Sequence, residues 1–160
     1  MFPCDLQEHP TRPTLTIRFR TPVEELPKHL GQVYHAIADY LEELGEEHAG
    51  PAFTAYYNMD MQNLDIEAGF PVSKTLPAKG EIQASTIPGG TFAVCHYTGP
   101  YEQVSPAYDQ LMKFTMDKGY EARGVVYEWY LNGPDEVPPE KYKTDIAFPV
   151  KRIKQEEGVS

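Results

Sequence analysis

Cysteine is scarce in this chain, and so is every grouping that would build a covalent or metallic scaffold. Cys4 and Cys95 are the only two, and no signal peptide precedes them, so no disulfide framework is expected. Cys95 lies in an apolar alternating stretch and reads as a core thiol. The histidines, His9, His29, His35, His48 and His96, are scattered, and no H-x-H, HExxH or C-x-x-C spacing occurs. No metal site is therefore expected. Cofactor signatures are missing as well. There is no Gly-rich phosphate loop, because Gly89-Gly90 reads as a hairpin turn, and there is no G-x-S-x-G elbow. Cys95 and His96 are neighbours on a predicted strand and face opposite ways, so they cannot pair as nucleophile and base. No apolar run approaches the roughly 18 residues of a membrane span. The N-terminus, MFPCDLQEHP, lacks a basic and an apolar signal region, which reads as a cytoplasmic protein. Bases are also few: 14 Lys and Arg stand against 24 Asp and Glu, a net charge of −10. Such a surface repels phosphate backbones, so direct nucleic-acid binding is not expected. It suits solubility, and it attracts cations.

What is present is a core and a repetition. Hydrophobic residues make up 41% of 160 residues, enough for one globular domain over residues 1–160. Leu30, Val33, Tyr34, Ile37, Tyr40, Leu41 and Leu44 recur with helical spacing, and Gly45 ends the run. Tyr108, Leu111, Met112, Phe114 and Thr115 repeat the rhythm before Gly119. A shift of about 74 lays Tyr34 on Tyr108, Ile37 on Leu111, Tyr40 on Phe114, Tyr56 on Tyr130 and Asn58 on Asn132. Slightly larger shifts align residues 14–21 with 91–98, and Phe70-Pro71-Val72 with Phe148-Pro149-Val150. Small changes of shift are differences of loop length.

The pattern predicts an α+β fold of two tandem ββαββ units with pseudo-twofold symmetry. Unit 1 covers about 3–72, a linker 73–80, unit 2 about 81–152, and a frayed tail 153–160. Strands at 5–9 and 14–20 are expected to pair, as are 52–58 with 64–72, 81–87 with 91–97, and 125–131 with 142–150. The antiparallel sheets are expected to carry the helices on one side and to form a central groove, a common place for a ligand.

Candidate chemistry concentrates in VVYEWYL, residues 125–131, a strong strand former. Period 2 puts Val126, Glu128 and Tyr130 on one face and Val125, Tyr127, Trp129 and Leu131 on the other. The apolar set is expected to pack under a helix, leaving Glu128 on the opposite face. The 74-residue shift makes Thr54 the repeated counterpart of Glu128, so the acid belongs to one half only. A carboxylate among aromatic side chains seeks a proton or a cation, and aromatic walls offer cation–π contacts. Tyr56 and Tyr130 would each bring a phenol to the groove. Tyr57, Tyr97, Tyr101 and Tyr127 are further aromatics of undetermined facing. Glu42, Glu43, Glu46 and Glu47 read as a solvated helix end.

The stretch HYTGPYE (96–102), a helix, YEWYL (127–131) and TDIAFPV (144–150) together resemble the GyrI-like family over about residues 3–152. That family includes effector-binding domains of AraC- and MerR-type regulators, gyrase inhibitors and the distantly similar SOUL proteins. The resemblance implies a groove that binds hydrophobic, often cationic, small molecules. It implies Glu128 as the pocket acid, with walls from Tyr130, Tyr101 and Tyr56; Trp129 is a further candidate wall. It also implies an alternative, a hydrolase of cyclopropane-type electrophiles with Glu128 as catalytic acid or base. In those enzymes Trp tends to precede the glutamate; here Tyr127 precedes it and Trp129 follows. A third implication is a protein partner such as gyrase. With no helix-turn-helix before residue 1, the chain reads as an isolated effector-type domain.

Overall fold

The computed structural model describes residues 2–153. The strands are β1 (Cys4–His9), β2 (Arg12–Thr21), β3 (Phe53–Tyr56), β4 (Leu64–Pro71), β5 (Gln83–Ile87), β6 (Gly90–Thr98), β7 (Tyr120–Ala122), β8 (Val126–Tyr130) and β9 (Lys143–Arg152). The two helices are α1 (Leu26–Leu44) and α2 (Ser105–Asp117). None of the described helices is long and apolar enough to cross a membrane. The tail expected to fray lies outside the described residues apart from Ile153.

Both helices start at prolines and stop at glycines for local reasons. Pro27 and Pro106 sit in the first turn, where a missing N–H costs nothing. Each is preceded by a 3-10 turn, Val23–Glu25 or Tyr101–Gln103. Gly45 closes α1 at φ 71°, and Gly119 follows α2 at φ 84°. Helix α1 buries Leu26, Val33, Ile37, Tyr40 and Leu41 against Leu15, Leu64 and Ile66. Helix α2 is shorter and buries Ala107, Leu111 and Thr115 against Ala93, Ile146 and Phe148. A fully buried Leu or Ile contributes roughly 1.5–3 kcal/mol.

The pairing differs from expectation at two places. Strand β1 does not pair with β2; it pairs with β6, in register Cys4 to Cys95 and His9 to Gly90. Likewise β5 does not pair with β6 but with β2, in register Arg12 to Ile87. The sheet order is β1-β6-β9-β8-β3-β4-β2-β5, with β7 added beside β9. The Gly89 segment is therefore a crossover rather than a hairpin turn. Cys4 and Cys95 face each other as free thiols. The three residues of β7 carry no periodicity and escape the sequence reading.

This order dictates the shape. Only Pro10 and Thr11 separate β1 from β2, yet five strands lie between them in the sheet. Two linking residues span on the order of 10 Å. The sheet must therefore curl until its ends meet, which makes it a half-barrel. Pro88 and Gly89 impose the same closure on β5 and β6. Where the two links cross, the Gly89 N–H donates to Thr11 Oγ1 at 3.0 Å. A Cβ on Gly89 would lie 2.5 Å from Thr11 N and 2.8 Å from His9 O, both backbone atoms. The curled interior is filled by Phe53, Ala55, Ile87, Phe92, Val94, Tyr127 and Ala147, with Val125 and Trp129 at its margin. The helices lie on the outer face.

Gly89→Ala is expected to lower unfolding free energy by about 1–3 kcal/mol in urea titrations, because backbone must move to admit the methyl. Gly133→Ala, with nothing within 4 Å of the new Cβ, is the control and should stay within about 0.5 kcal/mol of the parent. Equal effects would contradict a tight crossing.

Candidate functional site

The centre of the sheet is the antiparallel pair β3 and β8, with Thr54 directly opposite Glu128 and Phe53 opposite Trp129. Alternation sends Thr54, Tyr56, Val126, Glu128 and Tyr130 to one face. That face carries the helices. Val126 packs in the α2 cluster, and Glu128 is reached by Tyr108 from α2. The expected facing is thus reversed: the apolar set Tyr127 and Trp129 fills the barrel interior, where Phe53 and Phe92 accept it, and no helix covers it. Glu128 lies half-buried on the floor between α1 and α2.

Phenols surround the carboxylate. Oε1 accepts from Tyr130 at 2.8 Å and from Tyr56 at 3.2 Å, and Oε2 accepts from Tyr108. No Lys, Arg or His pairs with Glu128 among the described residues. On the other half, Tyr34 from α1 donates to Phe53 O at 2.8 Å and meets Thr54 Oγ1 at 2.9 Å. Tyr130 bridges the halves, its hydroxyl lying 2.9 Å from Thr54 Oγ1. Burial holds the Glu128 carboxyl above its ordinary range, against the lowering effect of the bonds from Tyr108, Tyr130 and Tyr56. Tyr108, Tyr56, Tyr34 and Tyr130 are all pushed upward, first by burial and, for each, also by the negative charge of Glu128.

Of the residues expected at the site, the structure brings Glu128, Tyr130 and Tyr56 into direct contact. Tyr101 sits above them at the start of its 3-10 turn, edge-on to Tyr130 at 5.8 Å and stacked on Tyr142 at 4.7 Å. It is 41% exposed and forms the outer rim. Trp129 is not part of this site. It lies on the opposite face, under the Arg12 guanidinium at 4.8 Å, beside a cavity of about 140 Å³ lined also by His9, Phe92 and Asp145. A larger cavity of about 630 Å³ lies beside Tyr97, Pro100 and Glu102, and Glu128 lines neither. Tyr97 is buried and donates to Pro100 O, Tyr127 is in the interior, and Tyr57 is a surface residue bonded to Glu67.

The sequence reading missed Tyr34 and Tyr108. The signal was available, since the 74-residue shift aligns these two, as it aligns Thr54 with Glu128. Taken as helix core positions, they hid the polar end of each ring. Among the described residues no group of three or more metal-ligating side chains forms.

A carboxyl whose folded pKa is raised binds its proton more tightly in the native than in the unfolded state. Its stabilising effect is full below the unfolded value, roughly 4.3, and is lost as pH rises through the folded value. Glu128→Gln removes that loss and can still donate to Tyr130. The variant is expected to be more stable than the parent at pH 8, by about 1 kcal/mol, with the gap closing towards pH 4. Thermal unfolding across this range checks it; a gap that widens on acidification would contradict it.

Comparisons with known proteins bear on the fold and the family. No curated protein matches the chain. Among solved structures, the C-terminal domain of EcmrR superposes with a TM-score of 0.81 at 24% identity, covering 96% of this chain and 99% of that one. In an EcmrR–DNA complex the chain spans 58% of the EcmrR length. A hydrolase from Listeria innocua gives a TM-score of 0.71 at 14% identity, covering 92% of this chain and 91% of that one. SAV2435 bound to tetraphenylphosphonium gives 0.62 at 12% identity, covering 93% and 97%. These likenesses are of fold. Residues 3–151 match the model of the GyrI-like small molecule binding domain, and the chain belongs to that family.

Proposed function

We propose that this domain binds hydrophobic cations in the cleft between α1 and α2, with Glu128 as counter-charge. The observation that carries the reading is a half-buried carboxyl held only by phenols, with no cationic side chain paired to it among the described residues. A charge placed so costs free energy unless a cation or proton compensates it. Tyr56, Tyr130, Tyr34 and Tyr108 present aromatic surface beside it, and the exposed Tyr101 ring forms the rim. A large, weakly hydrated organic cation meets both demands, through ion pairing and cation–π contact. SAV2435, which shares the fold, is bound to such a cation, tetraphenylphosphonium. The net charge of −10 would draw cations to the surface in general.

The site would lie on a pseudo-twofold axis between β3 and β8, within a single domain spanning both halves. Supporting this, the sheet order reads the same when each strand of residues 4–71 is exchanged for its counterpart in 83–152. Thr54 against Glu128 then breaks the symmetry where the ligand charge would sit. Tyr101 breaks it again, because its counterpart before α1 is Val23.

A second reading is hydrolysis of a reactive electrophile, with Glu128 as acid or base. One observation favours it: the Glu128 carboxyl, raised above its ordinary range by burial, contacts the Tyr108 hydroxyl.

Titration with tetraphenylphosphonium tests the first reading. Glu128→Gln should weaken binding by about 10–100-fold, roughly 1.4–2.8 kcal/mol, and Tyr101→Ala by a smaller factor. Equal affinity in parent and Glu128→Gln would remove Glu128 from the binding role. Turnover of a cyclopropane-type electrophile, abolished in Glu128→Gln, would favour the second reading.

A further inference from the structure

The polar groups linking the two halves form a chain whose protons can be counted. Four contacts join five groups: Tyr34 to Phe53 O, Tyr34 to Thr54, Thr54 to Tyr130, and Tyr130 to Glu128 Oε1. Each contact needs one proton. The carbonyl supplies none, and each hydroxyl supplies one. With Glu128 ionised, Tyr34, Thr54 and Tyr130 bring three protons to four contacts. Tyr130 cannot donate to both Thr54 and Glu128, so one oxygen pair is left without a hydrogen. With Glu128 protonated on Oε1 the count is complete. Glu128 donates to Tyr130, Tyr130 to Thr54, Thr54 to Tyr34, and Tyr34 to the Phe53 carbonyl. Tyr56 and Tyr108 donate to the carboxyl from their own hydrogens in either state.

We propose that Glu128 is a neutral acid in the free protein and that a cation binds by displacing its proton, so that binding and deprotonation are one exchange. The proposal rests on the cation-binding reading above and adds its regulation by pH. The groups facing Glu128 are Tyr34 from α1, Tyr101 from the 3-10 turn, Tyr108 from α2, Tyr56 from β3 and Tyr130 from its own strand. Its register partner on β9 is Ile146, which does not titrate. None of these supplies a positive charge, so only a proton or the ligand can. Burial acts in the same direction. On exchange the O–H bond of Glu128 breaks and the proton leaves to solvent. The carboxylate then keeps Tyr56 and Tyr108 as donors, gains Tyr130 as a third when that hydroxyl turns from Thr54, and gains the cation. Thr54 can satisfy Tyr130 or Tyr34 but not both, so ligand charge is felt as far as the α1 tyrosine.

Isothermal titration of the full chain with tetraphenylphosphonium bromide tests this, run from pH 5 to 9 in two buffers of different ionisation enthalpy. The expected result is release of up to one proton per cation, with affinity falling tenfold per pH unit below the midpoint, since only the ionised fraction accepts the ligand. Glu128→Gln should bind weakly with no proton release. Thr54→Val probes the chain itself. It frees the Tyr130 hydrogen for Glu128, favours ionisation, and should move the midpoint to lower pH. Binding heats independent of buffer, with affinity flat across the range, would overturn the proposal while leaving cation binding intact. An unmoved midpoint in a folded Thr54→Val protein would also overturn it. No binding at any pH would overturn the exchange and the underlying reading together.

Discussion

A carboxyl with no positive partner among the described residues is the constraint around which the rest of this structure is arranged. Glu128 lies on the central strand pair of a nine-stranded sheet, half-buried, with only phenols to hold it among the described residues. Phenols can stabilise either protonation state, because they donate to a carboxylate and accept from a carboxylic acid. They do not remove the charge. Under the proposed reading, a hydrophobic cation would complete the site electrostatically.

The fold brings this about by exchange between halves. Each half sends its first strand to the other, so that the two-residue links cross and the sheet must curl. Curling fills the inner face with Phe53, Phe92 and Tyr127 and leaves the outer face of β3 and β8 for the gap between the helices. Each helix packs on its own half, α1 over β2 and β4 and α2 over β6 and β9. Neither covers the central pair. What they lend to it is one tyrosine each, Tyr34 and Tyr108, reaching inward over Thr54 and Glu128.

Much of this was legible in the residues. Helix ends followed from Gly45 and Gly119, and strand positions from alternation. Three things were not. Pairing across halves leaves no local trace, because His9-Pro10-Thr11-Arg12 is short enough for a hairpin and only the register with β6 excludes it. The facing of β8 was inverted because an apolar alternate set was assumed to need a helix; here the curled sheet itself covers Tyr127 and Trp129. Trp129, a candidate wall, lies instead on the face opposite Glu128, where period 2 sends it. Tyr34 and Tyr108 carried a helical core signal that concealed a hydroxyl reaching the sheet.

The account stands or falls on where a hydrophobic cation settles. A crystal structure of the chain with tetraphenylphosphonium measures this directly, since the phosphorus position fixes the site. The account predicts the cation in the cleft between α1 and α2, against Tyr101 and over the Glu128 carboxylate. A cation found instead in the cavity beside Trp129 on the inner face, or in the one beside Tyr97 and Glu102, would contradict it.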